Sequence, residues 1–479
     1  MHLAILISIL TVANATPQLP SYATNGILGK IEQSKSSLQH DTSNCIEHNI
    51  TVPLDWFSTT TTNATMNVRY WIDNSCVQNN NNSISTSSPI FLQMGGEGSA
   101  RCWPCNAIDY QKVTTVSVEH RMYGESVPSG GLSSANLPYL TTPQNLADTA
   151  AIIKTINPNN KRRLINFGGS YSGGTAAWFR THYPTLTYGA VSSSGVVNAI
   201  VDYVQFDASI VNTLSKYTMY PHCLSTVASA MNALDKMSEK ELQLIKTDPF
   251  MASTTQTDVD FMYMVADAMA MAVQYGHKNQ LCTLLKISID SKKTPIEAVA
   301  AAIPVLYGKA FQQTCFYSTE CILNTKRDSS VGVGNKAWRW QKCSLLGYIQ
   351  SRGTDVEVAA RSKLLTLKSQ RKQCENMFPE NVNDLNELIA NNNRFQTTFG
   401  SDLPESVGAT KIVYLDYSDD PWQTASVVAS KPDWEKNDLT YCYTICDGCG
   451  HCGSGVPKNV TKCKNVEKAK VLEWLKEKE

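Results

Sequence analysis

The sequence lacks an excess of charge of either sign. Lys and Arg together number 42, as do Asp and Glu, so the formal net charge at pH 7 is zero over 479 residues. Nucleic acids and anionic membranes both attract proteins with a basic excess. The balance therefore argues against nucleic acid or a membrane as the main partner, although a neutral total does not exclude a local basic patch.

Long apolar runs and internal repeats are also missing. After the N-terminus no stretch reaches the roughly 18 apolar residues that a membrane-spanning helix needs. No period of about 20–50 residues is visible, which argues against solenoids and propellers. The apolar share of 42% is that of a globular chain with a sizeable core.

The N-terminus carries a secretion pattern. The apolar run of residues 3–12 is followed by Ala13-Asn14-Ala15, which resembles a signal-peptidase site. We interpret residues 1–15 as a signal peptide, with the mature chain starting near Thr16. The alternative is a buried N-terminal helix, which the shortness of the run disfavours.

The secretory route is oxidising, so the 15 cysteines are expected to form disulfides. Because their number is odd, at least one of them is a free thiol or pairs outside the chain. Beyond the predicted signal peptide, four N-x-[ST] sequons are compatible with glycosylation on surface loops. They begin at Asn49, Asn63, Asn81 and Asn459.

Short apolar runs alternate with helical patterns from residue 89 to residue 192. Strands are predicted at 89–93, 115–118, 163–167 and 188–192, and helices at 142–156 and 175–183. This alternation favours a mostly parallel sheet covered on both faces.

Strand signals fade between residues 197 and 393, where helical patterns dominate. The run of residues 261–275 is apolar and Met-rich, which suits a core helix better than an adaptable pocket lining. Strand signals return at 411–415 and 439–443, and a final helix is predicted to bury Val466, Ala469, Leu472 and Leu475. The simplest architecture is one α/β domain, built from residues 45–196 and 394–479, with a helical domain of residues 197–393 inserted.

A glycine-rich turn around Ser170 joins a predicted strand to a predicted helix. A nucleophile elbow needs this context, with small residues two positions before and after the nucleophile. Gly168 meets the requirement, and Ser172 meets it less well, since glycine is commonest there. The alternative is a glycine-rich turn whose serine is incidental.

A nucleophilic serine needs a histidine base and an orienting carboxylate, which follow it in this chain order in such folds. Asp420 follows the predicted strand 411–415, and His451 is the only histidine after position 277. His120 precedes the serine and is predicted to be a structural hydrogen bonder. The loop at Gly95-Gly96-Glu97-Gly98 would donate one oxyanion N–H, at Gly96, and Tyr171 would donate the other.

The C-terminal cysteines allow a competing interpretation as a metal site. Cys442, Cys446, Cys449, His451 and Cys452 lie close together, as in zinc modules. The secretory signal and the irregular spacing favour disulfides instead. For Cys102 and Cys105, which invite a redox interpretation, structural disulfide bonding is likewise favoured.

These motifs together resemble the peptidase family that contains lysosomal Pro-X carboxypeptidase, dipeptidyl peptidase II and thymus-specific serine protease, most closely the thymus-specific branch. The matching segments are Gly95-Gly96-Glu97-Gly98, residues 119–126, Leu146-Ala147-Asp148, Gly168-Gly169-Ser170-Tyr171, Asp420-Pro421-Trp422 and residues 448–452.

The resemblance implies an α/β-hydrolase fold with a large helical cap and a catalytic triad of Ser170, Asp420 and His451. It implies a secreted or lysosomal serine peptidase that takes peptide substrates, cleaves after proline as an exopeptidase and needs no cofactor or metal. Glu97 and Trp422 would contact substrate, although Trp422 could equally serve in packing.

Three matters stay open in the sequence. Asp416 stands where relatives usually have Asn-Gly, so Asp416 or Asp419 competes with Asp420 for the role of the carboxylate. An esterase or lipase of the same fold, or a catalytically silent interaction protein, is the alternative function. The resemblance also leaves a homodimer open.

Overall fold

The computed structural model describes residues 25–28, 30, 42–59, 64–77, 87–110, 112–326, 334–354, 356–382, 384–427 and 433–477. The predicted signal peptide, 1–15, and the sequons at Asn63 and Asn81 lie outside the described residues. The other two sequon asparagines, Asn49 and Asn459, are exposed.

One nine-stranded sheet runs through the described part of the chain. In chain order its strands are β1 Ile46–Pro53, β2 Thr65–Asp73, β3 Ile90–Gln93, β4 Thr114–Val118, β5 Leu164–Gly169, β6 Gly189–Ser193, β7 Ile412–Tyr417, β8 Trp434–Lys436 and β9 Leu439–Thr444. Their spatial order in the sheet is β1-β2-β4-β3-β5-β6-β7-β9-β8. The six central strands, from β4 to β9 in this spatial order, pair in parallel, whereas β1, β2 and β8 pair antiparallel with their neighbours.

The parallel strands bring distant loops to one edge of the sheet. The loop of residues 95–98 follows β3, the Ser170 turn follows β5, and the Asp420 and His451 loops follow β7 and β9. Because parallel strands end at the same edge, ligands of such sheets bind there. The fold therefore assembles the predicted site residues from four separate loops.

Helices occupy the connections. They are Thr142–Ile156 (α1), Tyr171–His182 (α2), Val204–Ser215 (α3), Cys223–Leu234 (α4), Glu239–Thr247 (α5), Asp258–Gln274 (α6), Lys278–Asp290 (α7), Pro295–Tyr307 (α8), Thr319–Asn324 (α9), Asn335–Gln341 (α10), Leu367–Met377 (α11), Leu385–Phe399 (α12) and Lys462–Lys476 (α13). Helix α2 begins four residues earlier than predicted, because Gly173 and Gly174, which weaken the helical pattern, are held by packing against residues such as Gly195 and Trp178.

Helices α3 to α12 form the insertion between β6 and β7. Its centre is α6, in which every residue from Asp260 to Val273 is buried. The four methionines of α6 are at most 3% exposed, so the expectation of core packing is confirmed. A central parallel sheet with this helical insertion is the α/β-hydrolase fold that was expected.

The C-terminal helix α13 is rotated relative to the predicted face: of the four predicted residues, Val466 and Leu475 are half-buried and pack against the core. Ala469 and Leu472 are exposed, and the buried residues are Cys463, Glu467, Val471 and Trp474. The disulfide from Cys463 to Cys442 on β9 fixes one end of this face. Near the other end the Trp474 ring covers Gly189, where any Cβ would lie within 2.6 Å of it. These two contacts set the rotation of the helix, and apolar periodicity alone does not reveal them.

Glu467, on the buried face of α13, has no hydrogen-bond partner at either carboxyl oxygen among the described residues. Burial raises its pKa from 4.5 to about 7; the Lys464 charge opposes this shift and the Asp109 charge adds to it. Between these two pH values the unfolded chain releases a proton that the folded chain retains. Folding stability therefore falls as the pH rises through this window, by about 3 kcal/mol once both states are ionised.

We expect Glu467→Gln to remove this pH dependence, since the amide cannot ionise. Thermal unfolding at pH 8 should give a Tm clearly above that of the unsubstituted protein, and at pH 4.5 the two should be nearly equal. Glu473→Gln, at an exposed position of the same helix, is the matched control and should leave both values unchanged. An equal Tm for the Glu467 variant and the unsubstituted protein at pH 8 would contradict the assignment.

Within the described residues, none of the helices combines the length and apolar character that crossing a bilayer requires.

Candidate active site

Ser170 lies in a strained turn between β5 and α2. Its backbone has φ 60° and ψ −131°, a conformation that non-glycine residues rarely adopt. The turn closes so tightly that a Cβ at Gly168 would overlap the carbonyl group of Ser172. The side chain of Ser170 remains partly exposed, while its neighbours on both sides are buried. These are the features of a nucleophile elbow.

Ser172 lies at the elbow position where glycine is commonest, and its hydroxyl group forms hydrogen bonds within the turn. Its Oγ donates to the Gly169 carbonyl at 2.8 Å and accepts from the Gly169 N–H at 3.0 Å. The side chain therefore bridges the elbow from within, which explains how the turn tolerates a residue larger than glycine.

His451 and Asp420 form a buried pair. Nδ1 of His451 lies 2.8 Å from Oδ2 of Asp420, and the two side chains are at most 1% exposed. Oδ1 of Asp420 accepts from the Trp422 N–H at 2.8 Å, which fixes the carboxylate. The other ring nitrogen, Nε2, is buried and has no hydrogen bond to any described residue. It is therefore available to a substrate or to the serine.

The elbow and the histidine loop meet on β6. The Ser170 N–H and the Cys452 thiol both donate to the carbonyl oxygen of Ser193, at 2.9 and 3.3 Å. The Cys452 N–H donates to Ser194 Oγ at 2.8 Å. Ser170 and the residue after His451 are thus held by the end of one strand.

The three neighbouring aspartates have different partners. Asp420 alone is bonded to His451. Asp419 accepts from Lys278 Nζ and from the Gly448 N–H, both at 2.7 Å. Asp416 accepts from Ser426 Oγ at 2.5 Å and is fully buried. Geometry therefore favours Asp420 as the partner of the histidine.

Charges inside the site shift the ionisation of its groups. Burial lowers the pKa of His451, but the charge of Asp420 and the contact with Cys452 outweigh it, so that its pKa lies well above the ordinary value. Burial raises the pKa of Asp416 well above its usual range. Burial likewise raises the pKa of Glu97, which the His451 charge partly offsets.

The loop after β3 lies against the elbow. A Cβ at Gly96 would come within 3.2 Å of the Ser172 Cβ, so the Gly96 backbone runs directly over the turn. Tyr171 is the first residue of α2, and the first N–H groups of a helix have no partner within it. The Gly96 backbone and the start of α2 therefore lie next to each other at the elbow.

The comparison with known proteins decides the family. The family model described as Serine carboxypeptidase S28 matches residues 52–472. The chain belongs to this family. It is accordingly a serine-type peptidase, as the motifs predicted.

Named relatives align with more than half of the chain. The probable serine protease EDA2 of Arabidopsis thaliana is 30% identical, over 77% of this chain and 73% of that protein. The thymus-specific serine protease of Mus musculus is 27% identical, over 78% and 77%. The lysosomal Pro-X carboxypeptidase of Bos taurus is 27% identical, over 53% and 56%.

In this S28 peptidase the segment 119–126 supports the site without entering it. Glu119 is fully buried and forms a two-bond ion pair with Arg69, and Arg121 forms one with Asp148. His120 bonds to the Arg121 carbonyl and to the Tyr171 hydroxyl, at 2.8 and 3.2 Å. Burial lowers the pKa of His120 to about 3, so it stays neutral, and the prediction of a structural role is confirmed.

The Tyr171 side chain is anchored from three sides. Besides His120, its hydroxyl meets Thr142 Oγ1 at 3.0 Å and Gln341 Nε2 at 2.7 Å. Gln341 belongs to α10 of the insertion and also accepts from the Tyr123 hydroxyl at 2.5 Å. The residue after Ser170 is therefore held by both the sheet domain and the insertion.

Aromatic side chains of the insertion surround Trp422. Its ring lies 5.1 to 5.7 Å, centroid to centroid, from those of Tyr203, Phe206 and Tyr348, and 6.3 Å from that of His451. Its Nε1 donates to Gln274 Oε1 at 3.1 Å. The insertion thus forms an apolar wall beside the histidine. Sequence reasoning did not identify Tyr203, Phe206, Tyr348 or Gln341, because these helix and loop residues of the insertion belong to no motif.

All but one of the cysteines pair. Near the site Cys442 bonds to Cys463 and Cys446 to Cys449, while Cys452 is a buried free thiol. The disulfide interpretation is confirmed, and the C-terminal cysteines do not offer the thiolates of a zinc site. Cys102 and Cys105 are also structural, since they pair with Cys45 and Cys76.

Proposed function

We propose that this S28 peptidase cleaves peptide bonds after proline as an exopeptidase, with Ser170 as nucleophile, His451 as general base and Asp420 as the orienting carboxylate. The buried His451–Asp420 hydrogen bond beside the Ser170 elbow is the observation that carries the proposal. Asp420 would hold the proton on Nδ1, which leaves Nε2 to act as the base.

In the first half of the reaction, Ser170 Oγ attacks the scissile carbonyl carbon while Nε2 of His451 accepts the hydroxyl proton. The C–N bond then breaks, the histidine returns the proton to the leaving amine, and an acyl-enzyme remains. In the second half, water loses a proton to Nε2 and attacks the ester carbonyl carbon. The bond to Ser170 Oγ then breaks, the acid product leaves, and His451 returns the proton to Ser170 Oγ. No metal or organic cofactor takes part in these steps.

Backbone donors would stabilise the oxyanion that forms in each half. The Tyr171 N–H is held in place by the helix start and by the anchored side chain. The Gly96 N–H belongs to the loop that lies over the elbow. Fixed donors of this kind commonly contribute about a hundredfold or more each to the rate.

Trp422 and Glu97 would contact the substrate. The half-buried Trp422 ring, in its aromatic wall beside His451, suits stacking on a proline ring. Glu97 belongs to the loop after β3 that lies against the elbow, so its carboxyl group would lie near a substrate bound at Ser170.

The proposed domain division follows the sheet. Residues 45–196 and 394–479 would form the catalytic domain, and residues 197–393 the cap that limits access to peptides with a free end. Because α12, Leu385–Phe399, crosses position 393, we move the second boundary to the loop after this helix.

The place of action would be the secretory route, either outside the cell or in a lysosomal lumen. Seven disulfides support an oxidising environment. The exposed Asn49 and Asn459 would carry glycans there.

Proline preference should depend on Trp422. We expect Trp422→Leu to lower the ratio of kcat/KM for a proline peptide to that for the matching alanine peptide by about fivefold, since stacking on an aromatic ring contributes roughly 1 kcal/mol. Trp434→Leu, on strand β8, is the control and should leave the ratio unchanged. A ratio that stays the same in the Trp422 variant would assign this ring to packing alone.

Profiling of peptides with free and blocked ends tests the function as a whole. We expect cleavage after proline, and loss of cleavage when one terminus is blocked. Equal turnover with both ends blocked would contradict the exopeptidase assignment. Turnover of simple esters but of no peptide would instead indicate an esterase.

A further inference from the structure

Lys278, the first residue of α7 in the insertion, reaches the two loops that hold the proposed catalytic pair. Its Nζ lies 2.7 Å from Oδ2 of Asp419 and 2.6 Å from Oδ1 of Asp447. Asp419 immediately precedes Asp420, and Asp447 lies four residues before His451. The Lys278 side chain is 6% exposed and that of Asp419 13%, so this ion pair is largely shielded from solvent.

Asp419 also joins the two loops to each other. Its carboxylate accepts from the Gly448 N–H at 2.7 Å, and its own N–H donates to the Cys449 carbonyl at 2.9 Å. Lys278 therefore binds a carboxylate that is already shared between the loops. Burial lowers the pKa of Lys278, but the two carboxylates raise it above its ordinary value, so the amine carries its charge.

Just before Lys278, the backbone of the turn between α6 and α7 touches the histidine loop. A Cβ at Gly450 would overlap the Gln274 carbonyl, and one at Gly276 would lie within 2.6 Å of the Gly448 carbonyl oxygen. Gly276 has φ 73°, which other residues rarely adopt. The turn between α6 and α7 thus fits against the histidine loop with no room for a side chain at Gly276 or Gly450.

We propose that Lys278 is a positioning residue: from the insertion, it fixes the Asp420 and His451 loops relative to each other and balances the charge of Asp419 beside the catalytic pair. This inference rests on the proposed roles of Asp420 and His451. It assigns to the insertion a part in catalysis besides that of covering the site.

Two consequences follow from removal of the Lys278 charge. The loops lose their shared anchor, so the His451–Asp420 geometry becomes less uniform and kcat falls, whereas substrate contacts elsewhere keep KM nearly constant. Asp419 also becomes an uncompensated negative charge, which favours the protonated imidazole. The groups that face His451 are Asp420, Cys452, Asp416 and Glu97, and those that face Lys278 are Asp419, Asp447 and Tyr217.

The experiment compares Lys278→Met, Lys278→Arg and the control Lys286→Met in the full chain. Lys286 lies on the same helix, and its ion pair with Asp290 is exposed. Each protein is titrated with a fluorophosphonate, so that rates are expressed per reactive serine and any unfolded fraction is excluded. Then kcat, KM and the pH profile of kcat/KM are measured on one proline peptide.

We expect Lys278→Met to lower kcat about tenfold with little change in KM, and to move the acidic limb of the pH profile upward by about half a unit. Lys278→Arg should recover most of kcat, and Lys286→Met should match the unsubstituted protein. A Lys278→Met protein with unchanged kcat and pH profile would overturn the proposal. So would a lower Tm with normal kcat per reactive serine, since that result indicates a purely structural role.

Failure of the proposed function would give a different result from failure of the Lys278 proposal. In that case the unsubstituted protein itself would show no fluorophosphonate reaction at Ser170.

Discussion

Ser170→Ala should abolish peptide hydrolysis, with kcat lowered by about 10⁶-fold. The substitution removes the nucleophile from a turn whose backbone is already held at positive φ by the elbow. Binding contacts remain, so KM should change little. Turnover of a proline peptide, followed by chromatography of the products, measures the effect.

Ser172, two residues after Ser170, provides a matched control for the Ser170→Ala variant. Ser172→Gly loses the two hydrogen bonds to Gly169 but restores the residue that is commonest at this position of an elbow. We expect kcat within about tenfold of the unsubstituted value, since each such bond is worth roughly 1 kcal/mol. Substantial turnover by Ser170→Ala, with this control also active, would show that another group attacks the substrate.

Asp420→Asn should lower kcat by about 10⁴-fold. An amide in this place can donate to Nδ1, which would stabilise the tautomer with its proton on Nε2, and that tautomer cannot act as the base. Steady-state kinetics at the pH optimum measure the loss. A loss below tenfold would contradict the role of Asp420.

The other two aspartates provide the contrast. Asp416 accepts from Ser426 Oγ and is not bonded to His451. Since the amide oxygen of Asn can accept the same hydrogen bond, we expect at most about tenfold loss in Asp416→Asn. Asp419→Asn weakens the link to Lys278 and should cost about tenfold. A larger loss in either variant than in Asp420→Asn would move the catalytic carboxylate to that residue.

The buried strands of the sheet could be predicted from the sequence. The runs 89–93, 115–118 and 411–415 are apolar because their strands are buried on both faces, and each is a strand of the sheet. Strands β1 and β2 were not predicted, since an antiparallel edge leaves positions such as Glu47 and Asn49 exposed and polar. The rotation of α13 was also missed, because a disulfide and a ring contact set it.

Those parts of the site that follow strand ends could be predicted as well. Ser170, Asp420 and His451 each come after a recognisable strand, so chain order alone suggested that they converge. The choice among Asp416, Asp419 and Asp420 could not be made, because it depends on which carboxylate the loop turns toward the imidazole. The proposed role of Lys278 could not be predicted from the sequence either, since it depends on how the insertion packs on two distant loops.

The most direct test of the central claim is to locate the covalent adduct after reaction with a fluorophosphonate. We predict one adduct per chain, mapped by mass spectrometry to Ser170, with labelling slowed by a proline peptide and lost in His451→Ala. A protein that hydrolyses peptides but forms its adduct on another residue, or forms none, would contradict the account.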